Sequence, residues 1–445
     1  MSAAIDLMAA FVAASQPPAE ARARAGTAVM DTVGVALAGT GEPAARIVRD
    51  AITRAGEAPC SVWGSAARAS VPDAAFANGT AAHALDYDDM CFVSLAHPSA
   101  PLVPAVMAAG ERAGASGRAV LDAYVVGFEI QARLGRLMNP RHYQRGWHCT
   151  STLGTISAAA GASRLLGLDA ATTAHALAIA ASSAAGLKEN FGTMVKPLHA
   201  GLAARDGVTA ALLAKGGLTG SAKAFDGPQG YLHAFDSERT DLAGEIADLG
   251  RRWEILDTGI TVKLYPSCAG THPTLDALLD LRRRDGFSGD DVDRIEIDVD
   301  PIVPTILIYD RPASALEAKF SMPFCAAAAA VFGRVGIDTF DEAVLRDPAV
   351  TAMMARVTMR VDGEIGRGKP SLTEARVRVV LKDGRPLAKD AHGARGYPAN
   401  PASADELAAK FLACATVALG GSRATQVQSF LRSLETAPSL TGIAI

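Results

Sequence analysis

Apolar residues recur at helical spacing from about residue 19 to about residue 250, and around residue 290 that period gives way to strict alternation. A 3.6-residue period builds amphipathic helices and a two-residue period builds half-buried strands, so the chain cannot be one uniform fold. Helical patterns start near Pro72, Pro98, Gly117, His148, Asp169 and Pro197, and several stop at Gly114, Gly167 and Gly216. Glycine is the preferred residue past a helix C-terminus. Cys60–Trp63 reads as a short strand. VDRIEIDVD (292–300), ARVTMRVD (355–362) and EARVRVVLKDG (374–384) read as strands, with helices near 271–284 and 315–332 between them. Helix returns after residue 400, opened by the capping box Ser403-Ala-Asp-Glu406.

The expected fold is therefore mainly α: a large all-helical domain over 1–258, a smaller α+β domain with an antiparallel sheet over 259–398, and C-terminal helices over 399–445 that return to the first domain. Of the 445 residues, 49% are hydrophobic and 20% charged, which argues against disorder. Abundant alanine lets helices approach closely. The net charge is −4 with no Lys/Arg-rich block, so nothing points to nucleic acid, and no apolar run is long enough to span a membrane. Six scattered cysteines without a C-x-x-C fit reduced thiols in a cytoplasm. There is no G-x-x-x-x-G-K-[ST] and no strand–GxGxxG–helix, so a nucleotide cofactor has no support.

Three basic residues stand directly before a proline that opens a helical pattern: His97-Pro98, Lys196-Pro197 and His272-Pro273. Proline suits the first turn, but a basic group at the cap opposes the helix dipole. Three such starts imply a site lined by protonatable bases and free backbone N–H groups, suited to an anionic, carboxylate ligand.

Four clusters carry the chemistry. In the first, His83, Asp86, Asp88 and Asp89 precede His97; crowded carboxylates raise at least one acid's pKa, giving a general acid/base next to an imidazole. The second is His142-Tyr143 followed by His148 at a loop–helix junction. The third joins Lys196, where the dipole opposes the ammonium and favours a base, to His199 one turn on. The fourth is Lys263, Tyr265, Cys268 and His272 at the junction of the helical and α+β regions. Cys268 would need an activating base to act as a nucleophile, and reads more simply as a small buried group.

The stretches NGTAAHALDYDDM (78–90), HPSAPLVPA (97–105), GWHCTSTLG (146–154), VKPLHAGLAARDG (195–207), VKLYPSCAGTHPTLDALL (262–279) and EAKFSMPFCAAAA (317–329) together resemble the MmgE/PrpD family. The resemblance implies a helical domain with an α+β lid, a homodimer, a site between the domains, and neither metal nor redox cofactor. It places Asp86, His97, His148 and Lys196 at catalytic positions, and Lys263, Tyr265 and His272 in the lid-side motif. Tyr143, His199 and Cys268 complete the expected substrate-binding set. The implied chemistry is proton transfer at a carbon next to a carboxylate of a small di- or tricarboxylic acid, as in a cofactor-independent, dehydratase-like lyase. Two departures from the decarboxylase pattern stand out: Met90 where a Thr is expected, with one extra residue between Asp86 and His97, and Phe324 where a Tyr is expected. The lost hydroxyl weighs against decarboxylation, leaves dehydration open and favours a dicarboxylate epimerase; a carboxylate-binding protein without turnover is a separate alternative.

Overall fold

In the computed structural model, residues 4–52, 58–368 and 372–443 are described. The chain divides into two units: residues 1–190, 194–260 and 403–445 form the first, and 191–193 with 261–402 the second.

The first unit is helical. Its longer helices are α1 (Ala4–Ala14), α2 (Ala19–Gly39), α3 (Pro43–Ala51), α4 (Val71–His83), α5 (Ser99–Ala113), α6 (Gly117–Met138), α7 (Cys149–Leu165), α8 (Ala170–Ser183) and α9 (Val195–Lys215). The expected strand at Cys60 is a two-residue one (β1, Cys60–Ser61), paired antiparallel with β2 (Arg68–Ala69). α9 packs against α4, α5, α7 and α8. Their shared core is largely alanine, with Ala74, Ala105, Ala158, Ala204 and Ala211 all buried. Small side chains let the axes close up, and the limit is reached where α4 crosses α9. A Cβ on Gly79 would lie 3.0 Å from the Gly201 Cα, and one on Gly201 would lie 2.5 Å from the Phe76 carbonyl oxygen. Only glycine fits there. A Cβ on Gly154 in α7 would likewise meet Pro101 Cγ of α5 at 2.6 Å.

The second unit is α+β. Helices α10 (His272–Asp285) and α11 (Met322–Phe332) accompany strands β3 (Val292–Val299), β4 (Val357–Val361), β5 (Glu374–Leu381) and β6 (Pro386–His392). Ile295, Ile297 and Val299 of β3 and Val377 and Val379 of β5 are buried, and α10 packs on β5 and β6. The strand order is β4-β3-β5-β6. β3 opposes β5 and β5 opposes β6 antiparallel, with Ile295 opposite Val379 and Val379 opposite Leu387. β4, however, pairs parallel with β3, Ile295 opposite Val357, so the sheet is mixed. The long connection from β3 to β4 carries α11, and a crossover of that kind is what a parallel pair requires. Two further helices, α12 (Ala404–Leu419) and α13 (Gly421–Arg432), return to the first unit, α12 packing on α2. The capping box read at Ser403 and Glu406 is present. Among the described residues no helix is long and apolar enough to cross a membrane.

Candidate active site

The three basic–proline starts lie at helix beginnings, though none is the cap itself. His97 precedes Pro98, the N-cap of α5; Lys196 lies in the first turn of α9 behind Met194; His272 is the first residue of α10. α9 and α10 begin before their prolines because their caps Met194 (φ −64°, ψ −15°) and Thr271 (φ −87°, ψ −23°) already have helical dihedrals, whereas α5 begins after Pro98. His148 is an N-cap, of α7, and its side chain makes no capping bond. These side chains are left available for other contacts.

In the first unit those contacts are with one another. α4 ends at His83, and the chain turns through Asp86, which has φ +52°. Few residues other than glycine adopt the left-handed region, Asp among the more tolerant, and such strain collects at functional sites. The turn aims the Asp86 carboxylate at α9, where Lys196 Nζ donates to Asp86 Oδ1 at 2.6 Å and to His83 Nε2 at 3.1 Å. His83 Nδ1 is 2.8 Å from Asp88 Oδ2. Since His83 Nε2 accepts from lysine, its proton is on Nδ1 and that bond is donated to Asp88. His97 Nδ1 lies 3.1 Å from the same Asp88 oxygen, and its Nε2 lies 3.7 Å from Asp86 Oδ1. The His97 backbone N–H donates to Thr150 Oγ1 of α7. His148 stacks on His83 with ring centroids 5.7 Å apart, and its Nδ1 is 3.0 Å from His199 Nδ1. Asp86, His97, His148, Lys196 and His199 are thus gathered in one place, and all are buried.

Burial sets the protonation. It pulls His83 and His199 down to about 4, and holds His148 well below the ordinary histidine value, with the Lys196 charge adding to it. For Asp88 burial pushes the other way, but the His83 and His97 imidazoles and their bonds win and hold the carboxyl well below its usual range. The structure therefore carries an ionised Asp88 beside a neutral His83. Asp89 rises, to about 8, through burial first and only then through Asp31 and Asp88. Asp89 is bonded to the hydroxyl and the backbone N–H of Ser99, whose Oγ is 2.6 Å from the Tyr124 hydroxyl.

His83, Asp86, Asp88 and His97 each bring one ligand atom within 4.8 Å of the others, a donor set a divalent cation could use. Lys196 already supplies a cation there, bonded to two of the four groups. A metal would have to share a buried cavity with that ammonium, so this donor set does not fit a resident ion.

The other site residues make different contacts. Tyr143 lies under the Lys188 ammonium, 3.7 Å from its ring centre, and His142 is a packing histidine held between the Phe235 carbonyl (3.0 Å) and Thr152 Oγ1 (2.8 Å). In the second unit Lys263 is fully buried. The Tyr265 hydroxyl donates to Asp276, and the Tyr265 ring meets His272 edge-on at 5.2 Å. His272 Nε2 is 3.1 Å from the Ser267 carbonyl oxygen. Cys268 is buried, and its N–H donates to the Lys319 carbonyl. Phe324 of α11 is buried against Phe340.

Sequence reasoning named Asp88 and His83 only as members of an acidic stretch. The signal was there: His83, Asp86 and Asp88 bracket a turn just past a helix end, where alternate residues can face the same neighbour.

A buried lysine–carboxylate pair ringed by neutral imidazoles is equipment for moving protons. The model for the MmgE/PrpD N-terminal domain matches residues 5–241, and that for the MmgE/PrpD C-terminal domain matches residues 265–436. The chain belongs to the MmgE/PrpD family. Among its relatives is the cis-aconitate decarboxylase-like protein oryM of Aspergillus oryzae, 30% identical over 96% of this chain and 93% of that protein. Human cis-aconitate decarboxylase is 28% identical over 92% and 86% of the two chains, and that of Aspergillus terreus 25% identical over 95% and 91%.

Proposed function

We propose that this protein is a cofactor-independent lyase that removes a proton next to a carboxylate of a small di- or tricarboxylic acid. The observation that carries the reading is the Lys196–Asp86–His83 contact set, buried and flanked by His97, His148 and His199. Two of the relatives are decarboxylases of one such acid and the third is named decarboxylase-like, which supports the substrate class.

His148, unprotonated at neutral pH, is the base in this reading: the C–H proton moves to its imidazole and the electron pair is held as an enediolate. Lys196 stabilises the developing negative charge. The pair then forms the new double bond as the C–O bond breaks, and the hydroxyl leaves as water with a proton from His97. Asp86 holds Lys196 in position. His199, Tyr143, Lys263, Tyr265, Cys268 and His272 form the substrate-binding set of the same proposal.

Phe324 supports a second reading, because a phenylalanine there offers no hydroxyl to protonate a product carbon. An epimerase needs only two bases on opposite faces and no leaving group. Incubation with cis-aconitate, citrate, 2-methylcitrate and related hydroxy acids in D2O, followed by proton NMR, separates the two. A new alkene or its hydration supports the lyase. Deuterium exchange with inversion and no alkene supports the epimerase. Neither, with binding retained, leaves a carboxylate-binding protein. The reading includes a homodimer, tested by sedimentation equilibrium.

A further inference from the structure

We infer that Asp88 is a two-armed positioning residue that fixes the tautomers of both His83 and His97, and that His83 belongs to the reacting site as the acceptor that orients Lys196. One carboxylate oxygen, Asp88 Oδ2, is 2.8 Å from His83 Nδ1 and 3.1 Å from His97 Nδ1. An ionised carboxylate only accepts, so the bonded His83 ring carries its proton on Nδ1, and the 3.1 Å approach to the same oxygen favours a proton on Nδ1 of His97 as well. Both Nε2 atoms then point away from Asp88, and both point at the same place. His83 Nε2 accepts from Lys196, and His97 Nε2 lies 3.7 Å from the Asp86 oxygen that Lys196 holds. Asp88 and His83 are fully buried and the His97 side chain is 11% exposed, so water has little room to substitute for the carboxylate. Asp88 keeps its charge against burial because these two rings outweigh the desolvation. The inference rests on the reading of Lys196 and Asp86 as reacting groups.

Asp88→Asn is the decisive change, because the amide keeps the shape but turns one acceptor into a donor. An amide nitrogen facing either ring forces that Nδ1 to accept and moves its proton to Nε2, towards the Lys196–Asp86 pair. A carboxylate that orients a catalytic histidine through the far nitrogen can be worth about 10²–10⁴-fold in turnover.

The test is nitrogen-15 NMR of the full-length protein labelled at histidine, with His83 and His97 assigned from His83→Gln and His97→Gln. The wild-type spectrum, which needs no variant at Asp88 to fold, is expected to show Nδ1 protonated in both rings. Either ring protonated on Nε2 alone overturns the proposal. In Asp88→Asn at least one ring is expected to switch, with kcat on the active acid falling about 10²–10⁴-fold while KM changes only a few-fold. Unchanged tautomers together with unchanged kcat overturn it. The tautomers are read in the resting protein, so a protein that turns over none of the acids would sink the assigned reaction while the spectrum still decides the role of Asp88.

Discussion

Lys196 Nζ stands 2.6 Å from Asp86 Oδ1, with both side chains almost wholly out of water. A buried pair of this kind contributes little over a well-packed apolar pair, yet breaking it is costly because one charge is left unmatched. Lys196→Met should therefore destabilise the protein by about 3–5 kcal/mol, and the double variant with Asp86→Asn should recover part of that loss. Urea unfolding of the two single variants and the double variant checks this. Additive losses would mean that the pair is not coupled. Turnover should be lost in all three.

The buried histidines give stability a pH dependence with a known sign. His83, His142 and His199 are pulled down to about 4 in the folded protein, whereas the unfolded chain protonates them near the ordinary value of 6.5. Folding then excludes protons, so each contributes stability above pH 6.5 that is lost as pH falls towards 4, at up to about 1.4 kcal/mol per pH unit. His142 lies outside the reacting cluster and isolates the effect. His142→Gln should flatten the stability–pH curve between 6.5 and 4, and an unchanged slope would refute its buried neutral state.

Asp89 has the opposite sign. It stays protonated up to about 8 when folded, against an ordinary value of 3.8, so it loses stability as pH rises across that interval. Asn mimics the protonated acid and keeps an acceptor for the Ser99 N–H. At pH 7 Asp89→Asn should fold with stability equal to or above that of the parent, and its advantage should grow between pH 7 and 8. Thermal melts across that range measure it.

Gly201 sits where α4 and α9 cross, and a methyl there would strike the Phe76 carbonyl at 2.5 Å and the Thr80 hydroxyl. Backbone cannot yield as a flexible side chain can. Gly201→Ala should cost roughly 1–3 kcal/mol, the usual range for overpacking. It should also lower kcat, since His83 and Lys196 lie on the two helices that would be pushed apart. A stable, fully active Gly201→Ala would show that the crossing has slack.

The helices were legible because each carries its own period and stop signals, and the α+β segment because its strands alternate. The parallel placement of β4 was not, since alternation reports which face is buried and not which neighbour lies alongside. The basic–proline pairs located three helix starts to within a residue or two, and proximity to those starts was enough to nominate Lys196 and His97; His148 was nominated by its place at a loop–helix junction. Two features needed the folded chain. The +52° turn at Asp86 depends on the segment closing on itself, and the double grip of Asp88 joins residues 5 and 9 positions away only because that turn exists. Likewise, nothing in the sequence links His83 to Lys196, 113 residues later.

The Gly79–Gly201 contact acts as a ruler. His83 comes one helical turn after Gly79, and Lys196 lies just over one turn before Gly201, so backbone touching backbone at the crossing fixes how far apart the imidazole and the amine can be. A slide of α9 by one residue, about 1.5 Å, would shift the amine against both of its partners at once. Changes in which acid is accepted are therefore expected among residues away from this crossing.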